Sequence, residues 1–93
     1  MAMNITRHLI IRGHVQGVFF RESMCREALQ LGINGWIRNL RDGTVEAMIQ
    51  GSPEVISLII EWARIGPEQA QVTGVEISTG SGEFAGFEKL HSA

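Results

Sequence analysis

The chain has 93 residues, a net charge of -2 and a single cysteine, with 44% hydrophobic residues. That length allows one small domain with a modest core, and residues 1–93 are expected to form one. No apolar run approaches the roughly 20 residues needed to span a bilayer, and one cysteine rules out both an internal disulfide framework and a thiolate metal cluster.

From the N-terminus, Met1 to His8 lacks the charged start, long apolar stretch and small-residue cleavage site of a secretory leader, so a cytoplasmic location is expected. Leu9, Ile10 and Ile11, within Arg7 to Gly13, form a short apolar run closed by glycine, which predicts a central strand. A glycine-punctuated turn follows and leads into an amphipathic stretch. In Glu22 to Leu31 the apolar residues Met24, Cys25, Ala28, Leu29 and Leu31 recur at near-helical spacing, and Gly32 supplies the stop. Cys25 on that stripe reads as an inert core thiol.

Trp36 to Arg41 and Thr44 to Gln50 flank Asp42-Gly43, a dipeptide suited to a tight hairpin turn, and Val45, Ala47 and Ile49 alternate on one face. Ser52, Pro53 and Glu54 give an N-cap, a proline at the first helical position and an early acid. Val55, Ile56, Ile59, Trp62 and Ala63 then form an apolar stripe ending before Gly66-Pro67, with Trp62 as a core anchor. Val72, Val75 and Ile77 mark another strand, in which Gly74 suggests a bulge. Beyond a loop with Gly80, Gly82 and Gly86, the residues Phe84, Phe87 and Leu90 suggest a short closing strand. The order strand, helix, strand, strand, helix, strand, with an extra strand at the end, is the ferredoxin-like βαββαβ sandwich. This α+β class places two helices on one face of an antiparallel sheet of four or five strands.

The residues with chemical promise cluster early. In the loop Val15, Gln16, Gly17, Val18, Phe19, Phe20, the backbone amides and the following helix N-terminus can form a concave donor surface for a phosphate. Arg21 would lie on the first helical turn. A cation there opposes the helix dipole, which favours a bound anion over a merely solvated arginine. Gly17 serves either a simple turn or a close approach of backbone to phosphate. Gln16 and Val18 shape the loop, whereas Phe19 and Phe20 read as packing anchors. Charge supports the location: residues 1–41 hold six arginines against two glutamates, and residues 42–93 hold two cations against eight acids. His8, His14 and His91 are scattered without a second ligand at metal spacing, so no metal is expected.

Gly13 to Arg21 resembles the first signature of the acylphosphatases, and Gly35-Trp36-Ile37-Arg38-Asn39 through Asp42-Gly43-Thr44-Val45-Glu46 to Gly51 resembles the second. Position by position, the resemblance implies that Arg21 binds phosphate and that Asn39 orients the nucleophilic water, with the substrate itself taking the water's proton. Asn39 taken alone reads equally well as a polar strand-end residue before a turn. His14 at a variable position of the first motif, and Arg41 before Asp42, are departures that bear on local potential and affinity.

Chemistry points the same way. No Ser-His-Asp grouping, metal cluster or carboxylate pair accompanies the loop, and a site without acid or base needs a good leaving group. An acyl phosphate supplies one, since its carboxylate has a free-acid pKa near about 4. Positioning and electrostatic stabilisation carry most of phosphoryl transfer. The expectation is therefore a monomeric acylphosphatase acting on a small-molecule acyl phosphate, with no cofactor, no nucleic acid and no membrane. The alternatives are a non-catalytic phosphate- or anion-binding module on the same fold, an RNA-binding sheet, and an accessory domain of a larger carbamoyl-transfer protein. The second lacks an RNP-like aromatic pattern, and the third is disfavoured by a chain of 93 residues.

Overall fold

A computed structural model describes residues 3–93. Strand β1 (Ile5–His14) leads into helix α1 (Phe20–Leu31). Strands β2 (Asn34–Asn39) and β3 (Val45–Gly51) precede helix α2 (Pro53–Ile65), and β4 (Gln71–Thr79) and β5 (Phe87–Lys89) complete the chain. The five strands form one sheet in the order β4-β1-β3-β2-β5. This is the expected ferredoxin-like arrangement, with one difference: β5 runs parallel to β2, so the sheet is mixed rather than wholly antiparallel. The turn-rich segment after β4 is long enough to return the chain to the far edge, where a parallel partner for β2 can form. Pairing along that edge continues past the strand, since Leu90 N donates to Ile37 O and Ala93 N to Asn39 O.

One face of the sheet and the inner sides of the helices make the core. Leu9 and Ile11 of β1, Ile37 of β2 and Val45, Ala47 and Ile49 of β3 lie fully buried at alternate positions, against Met24 and Ala28 of α1 and Ile56, Ile59 and Ala63 of α2. Phe20 is buried at the start of α1 with its ring 5.4 Å from that of Trp62, so the helices meet through an aromatic pair. The end of α1 follows from Gly32, whose left-handed conformation lets its N–H and that of Ile33 close on Leu29 and Ala28 carbonyls. Ser52 caps α2, accepting from Val55 N at 3.5 Å.

The expected bulge is present: Arg12 pairs with Gly74 and Gly13 with Val72, leaving Thr73 between them. Gly13 is required on the opposite strand, because a Cβ there would stand 2.0 Å from the Gln71 carbonyl oxygen. The hairpin turn departs from the expected two-residue form. It spans 40–44, closed by Leu40 N donating to Thr44 O, and Asp42 accepts from both Thr44 N and Thr44 Oγ1. These short bonds fix the carboxylate and hold the Asp42 pKa below its ordinary value.

On the open face of the sheet, Glu46 accepts from Arg38 Nε at 2.6 Å and lies 2.7 Å from His8 Nε2, while Arg38 stacks over Trp36. Burial alone would raise the Glu46 pKa, but the hydrogen bonds from His8 and Arg38, with their charges, outweigh it and hold the carboxyl below its ordinary 4.5. A folded-state pKa below the unfolded one means that the contribution to stability is full above pH 4.5 and is lost as pH falls through the lower folded value. Glu46→Gln should therefore be less stable than wild type at neutral pH and should flatten the acid limb of stability, as read by denaturant unfolding over a pH series. An unchanged acid limb would assign that limb to other carboxylates.

Candidate active site

Strand β1 and strand β2 run in the same direction on either side of β3 and finish at the same end of the sheet, so the loop after β1 and the last residue of β2 become neighbours. A hollow of about 260 Å³ lies between them, lined by Val15, Gly17, Phe19, Phe20, Arg21, Glu22, Asn39 and Lys89. Arg21 and Asn39, far apart in the chain, thus share one cavity.

Helix α1 enters this hollow without a side-chain cap, unlike α2. Its N-cap residue, Phe19, adopts φ 63° and ψ 24°, the left-handed region, where a bulky side chain is a rare occupant. The first N–H groups of α1 are therefore left for solvent or an anion. Gly17 has φ 74°, and a Cβ there would meet no protein atom within 4 Å. Backbone conformation, not protein crowding, demands glycine, and the side chain it lacks would have filled open space in the hollow.

Two loop residues face elsewhere. Gln16 Nε2 donates to Leu40 O at 2.7 Å and to Thr44 O at 2.9 Å, fastening the loop to the base of the β2–β3 turn beside Asn39. Val18 is buried in the core. Phe20 is the expected packing anchor, but Phe19 is not: it is 71% exposed, at the rim. Neither His14 nor Arg41 lines the hollow, and both are exposed.

Asn39 holds the most informative atom. Its Oδ1 is buried and accepts no hydrogen bond from any described residue. An unpartnered buried acceptor costs about 1–3 kcal/mol, so a native position that keeps one calls for a reason beyond packing. Arg21 is half-buried and enters no ion pair among the described residues. Among the described residues, Arg21 and Asn39 thus bring an unpaired guanidinium and an unpartnered amide oxygen to the same hollow.

Sequence reasoning missed Glu22 and Lys89. Lys89 Nζ donates to Glu22 Oε1 at 3.2 Å across 67 residues, joining β5 to the first turn of α1 at the edge of the hollow. Glu22 suits the helix dipole but opposes an incoming anion, and Lys89 neutralises it. The pair is largely exposed and individually weak. Lys89→Ala should raise the inhibition constant for phosphate severalfold, and Glu22→Gln should lower it about twofold to threefold. Equal affinities in all three proteins would place the pair outside the site's electrostatics. A signal for Glu22 existed, since it adjoins Arg21. For Lys89 there was none, because its place depends on the parallel pairing of β5.

Cys25 is half-buried beside this region rather than within the core, and burial raises its thiol pKa, against the opposing charges of Lys89 and Arg21. No group of three or more His, Cys, Asp or Glu among the described residues is placed to hold a metal.

Fold and geometry define a ferredoxin-like α+β protein in which the uncapped start of the first helix, Arg21 and the buried Asn39 Oδ1 come together at one hollow. The pattern describing the acylphosphatase family matches residues 7–89. An acylphosphatase of Thiobacillus denitrificans is 54% identical over 84 residues, covering 90% of this chain and 94% of its own. The acylphosphatase structure from Coxiella burnetii superposes with a TM-score of 0.90 at 35% identity, covering 94% of this chain and 93% of that one. The acylphosphatase from Bacillus subtilis gives 0.88 at 27% identity, with 95% and 99% covered. The chain belongs to the acylphosphatase family, hydrolases that act on acyl phosphates.

Proposed function

We propose that Arg21, Asn39 and the backbone of residues 15–20 hydrolyse the carboxyl-phosphate bond of an acyl phosphate, giving a carboxylate and inorganic phosphate. The observation that carries this assignment is the buried, unpartnered Asn39 Oδ1 in the same hollow as Arg21 and the uncapped α1 N-terminus. Loop amides and the Arg21 fork hold the phosphoryl oxygens, where charge develops as the bond loosens. Asn39 Oδ1 accepts a hydrogen bond from a water and aims its oxygen at phosphorus. The P–O bond to the acyl group breaks as the new one forms. The bonding electrons leave with the carboxylate, and the water's proton passes to a phosphoryl oxygen. The leaving group needs no protonation at neutral pH, so the step requires neither a protein acid nor a metal.

The same reading takes residues 1–93 as one domain acting as a cytoplasmic monomer on a small molecule. In its favour, a single buried cluster unites both helices with the sheet, and no described helix is long and apolar enough to cross a membrane. A non-catalytic anion-binding module would use Arg21 equally well but leaves Asn39 Oδ1 without a task. The test is hydrolysis of acetyl phosphate by purified protein with a metal chelator present. Chelator-resistant turnover is expected. A folded protein that binds phosphate without turning over acetyl phosphate would reduce the site to the binding module.

A further inference from the structure

A second hollow, of about 390 Å³, runs between α1 and β5, lined by Glu22, Cys25, Arg26, Leu29, Phe87 and Lys89. It shares Glu22 and Lys89 with the hollow that holds Arg21 and Asn39, so the two spaces meet across one weak, exposed ion pair. Its floor is apolar. Leu29, which helical periodicity assigns to the buried stripe, is instead 64% exposed, and the half-buried Cys25 and Phe87 complete that surface. Arg26 and Lys89 also line it, and long basic side chains can cover apolar surface with their methylene stems. From Glu22 to Leu29 the groove follows α1 for about 10 Å, given a rise of about 1.5 Å per residue.

We infer that this groove is the acyl subsite, receiving an apolar acyl chain from a substrate whose phosphoryl group lies on the α1 N-terminus. The inference rests on the acylphosphatase reading and adds the substrate class: acyl phosphates with an unbranched apolar chain, in preference to acetyl phosphate. Continuity names the occupant. The groove adjoins the hollow of Arg21 and Asn39 with only the Glu22–Lys89 pair between them, and the part of the substrate beyond the cleaved bond is the acyl chain. An acetyl group ends near the Glu22–Lys89 pair, whereas a longer chain passes the pair and covers Leu29 and Phe87.

The test compares kcat/KM for acetyl, butyryl and hexanoyl phosphate in wild type, Leu29→Asp and Leu58→Asp. The last makes the same change at an exposed leucine on α2, away from the groove. In wild type, each added methylene is expected to raise kcat/KM by about twofold to threefold, less than full burial would give. Leu29→Asp should lower the hexanoyl-to-acetyl ratio about tenfold, because a charge would then face the chain. Leu58→Asp should leave the ratio as in wild type. An active enzyme with a flat chain-length profile would overturn the subsite while leaving the acylphosphatase reading intact. If that enzyme also sediments as a dimer that Leu29→Asp dissociates, the groove belongs to a second copy of this chain. Absence of turnover with all three substrates would overturn the acylphosphatase reading and the subsite together.

Discussion

Asn39→Ala is expected to lower kcat by about 10²–10³ while changing the inhibition constant for phosphate by no more than about threefold, the loss typical of removing one preorganised polar group from a transition state. The two readouts separate because the proposed mechanism sets Asn39 against the water and not against the phosphoryl group. Stability supplies a third. Asn39 Oδ1 is already without a partner, so alanine removes a buried acceptor without orphaning another, and the variant should unfold no earlier than wild type. Most polar-to-alanine changes in a site of hydrogen-bonded residues would do the opposite, which makes the combination of lost turnover and kept stability diagnostic. Asn39→Asp keeps an oxygen at the same place but sets a negative charge against the phosphoryl oxygens, and it too should fail. Steady-state kinetics, phosphate inhibition and thermal unfolding on the three proteins decide the matter. An alanine variant retaining a third of wild-type turnover would remove Asn39 from the mechanism.

Arg21→Ala should act on binding as well as on rate. Charge-assisted hydrogen bonds contribute about 1.5–3 kcal/mol each, and a guanidinium can offer two to one phosphoryl group. At about 1.4 kcal/mol per decade, a loss of kcat/KM between about 10² and 10⁴ follows, with phosphate inhibition weakened at least tenfold. Arg21→Lys keeps the charge and loses the fork, and should recover only part of that loss. In wild type the KM should rise with ionic strength, since Arg21 enters no ion pair among the described residues and is free to meet a substrate anion. An alanine variant with normal phosphate inhibition would leave the uncapped helix and loop amides as the whole binding site.

Much of this molecule was legible in its sequence, for reasons that can be named residue by residue. Gly32 and Ser52 mark helix ends because a left-handed cap and a side-chain acceptor are local backbone requirements. Val45, Ala47 and Ile49 gave the inward face of β3 because strand side chains alternate whatever lies beyond them. Gly74 foretold the bulge at Thr73. The place of Arg21 on the first turn of α1 was legible because the glycine loop and the amphipathic stretch meet there. The weaker expectations failed where a neighbour in space decided the outcome. Asp42-Gly43 suits a two-residue turn, but Leu40 and Thr44 closed a longer one, with Gln16 donating to both of their carbonyl oxygens from another loop. Phe19 has the hydrophobicity of a core residue, but the left-handed backbone that opens α1 turns it outward.

By itself the sequence determined the order of helices and strands, most of their apolar positions, and that a glycine loop meets a helix start at Arg21. These depend on dihedral preferences and on periodicities of a few residues, which neighbours along the chain settle among themselves. Only the tertiary structure decided that Asn39 stands beside Arg21 with a buried oxygen left open, that Lys89 reaches Glu22, and that Leu29 borders a groove instead of entering the core. Those facts follow from the strand order β4-β1-β3-β2-β5 and from the parallel register of β5 on β2. Strand order is chosen by the burial and hydrogen bonding of the whole sheet, a free energy shared among all the elements and encoded at none of them singly.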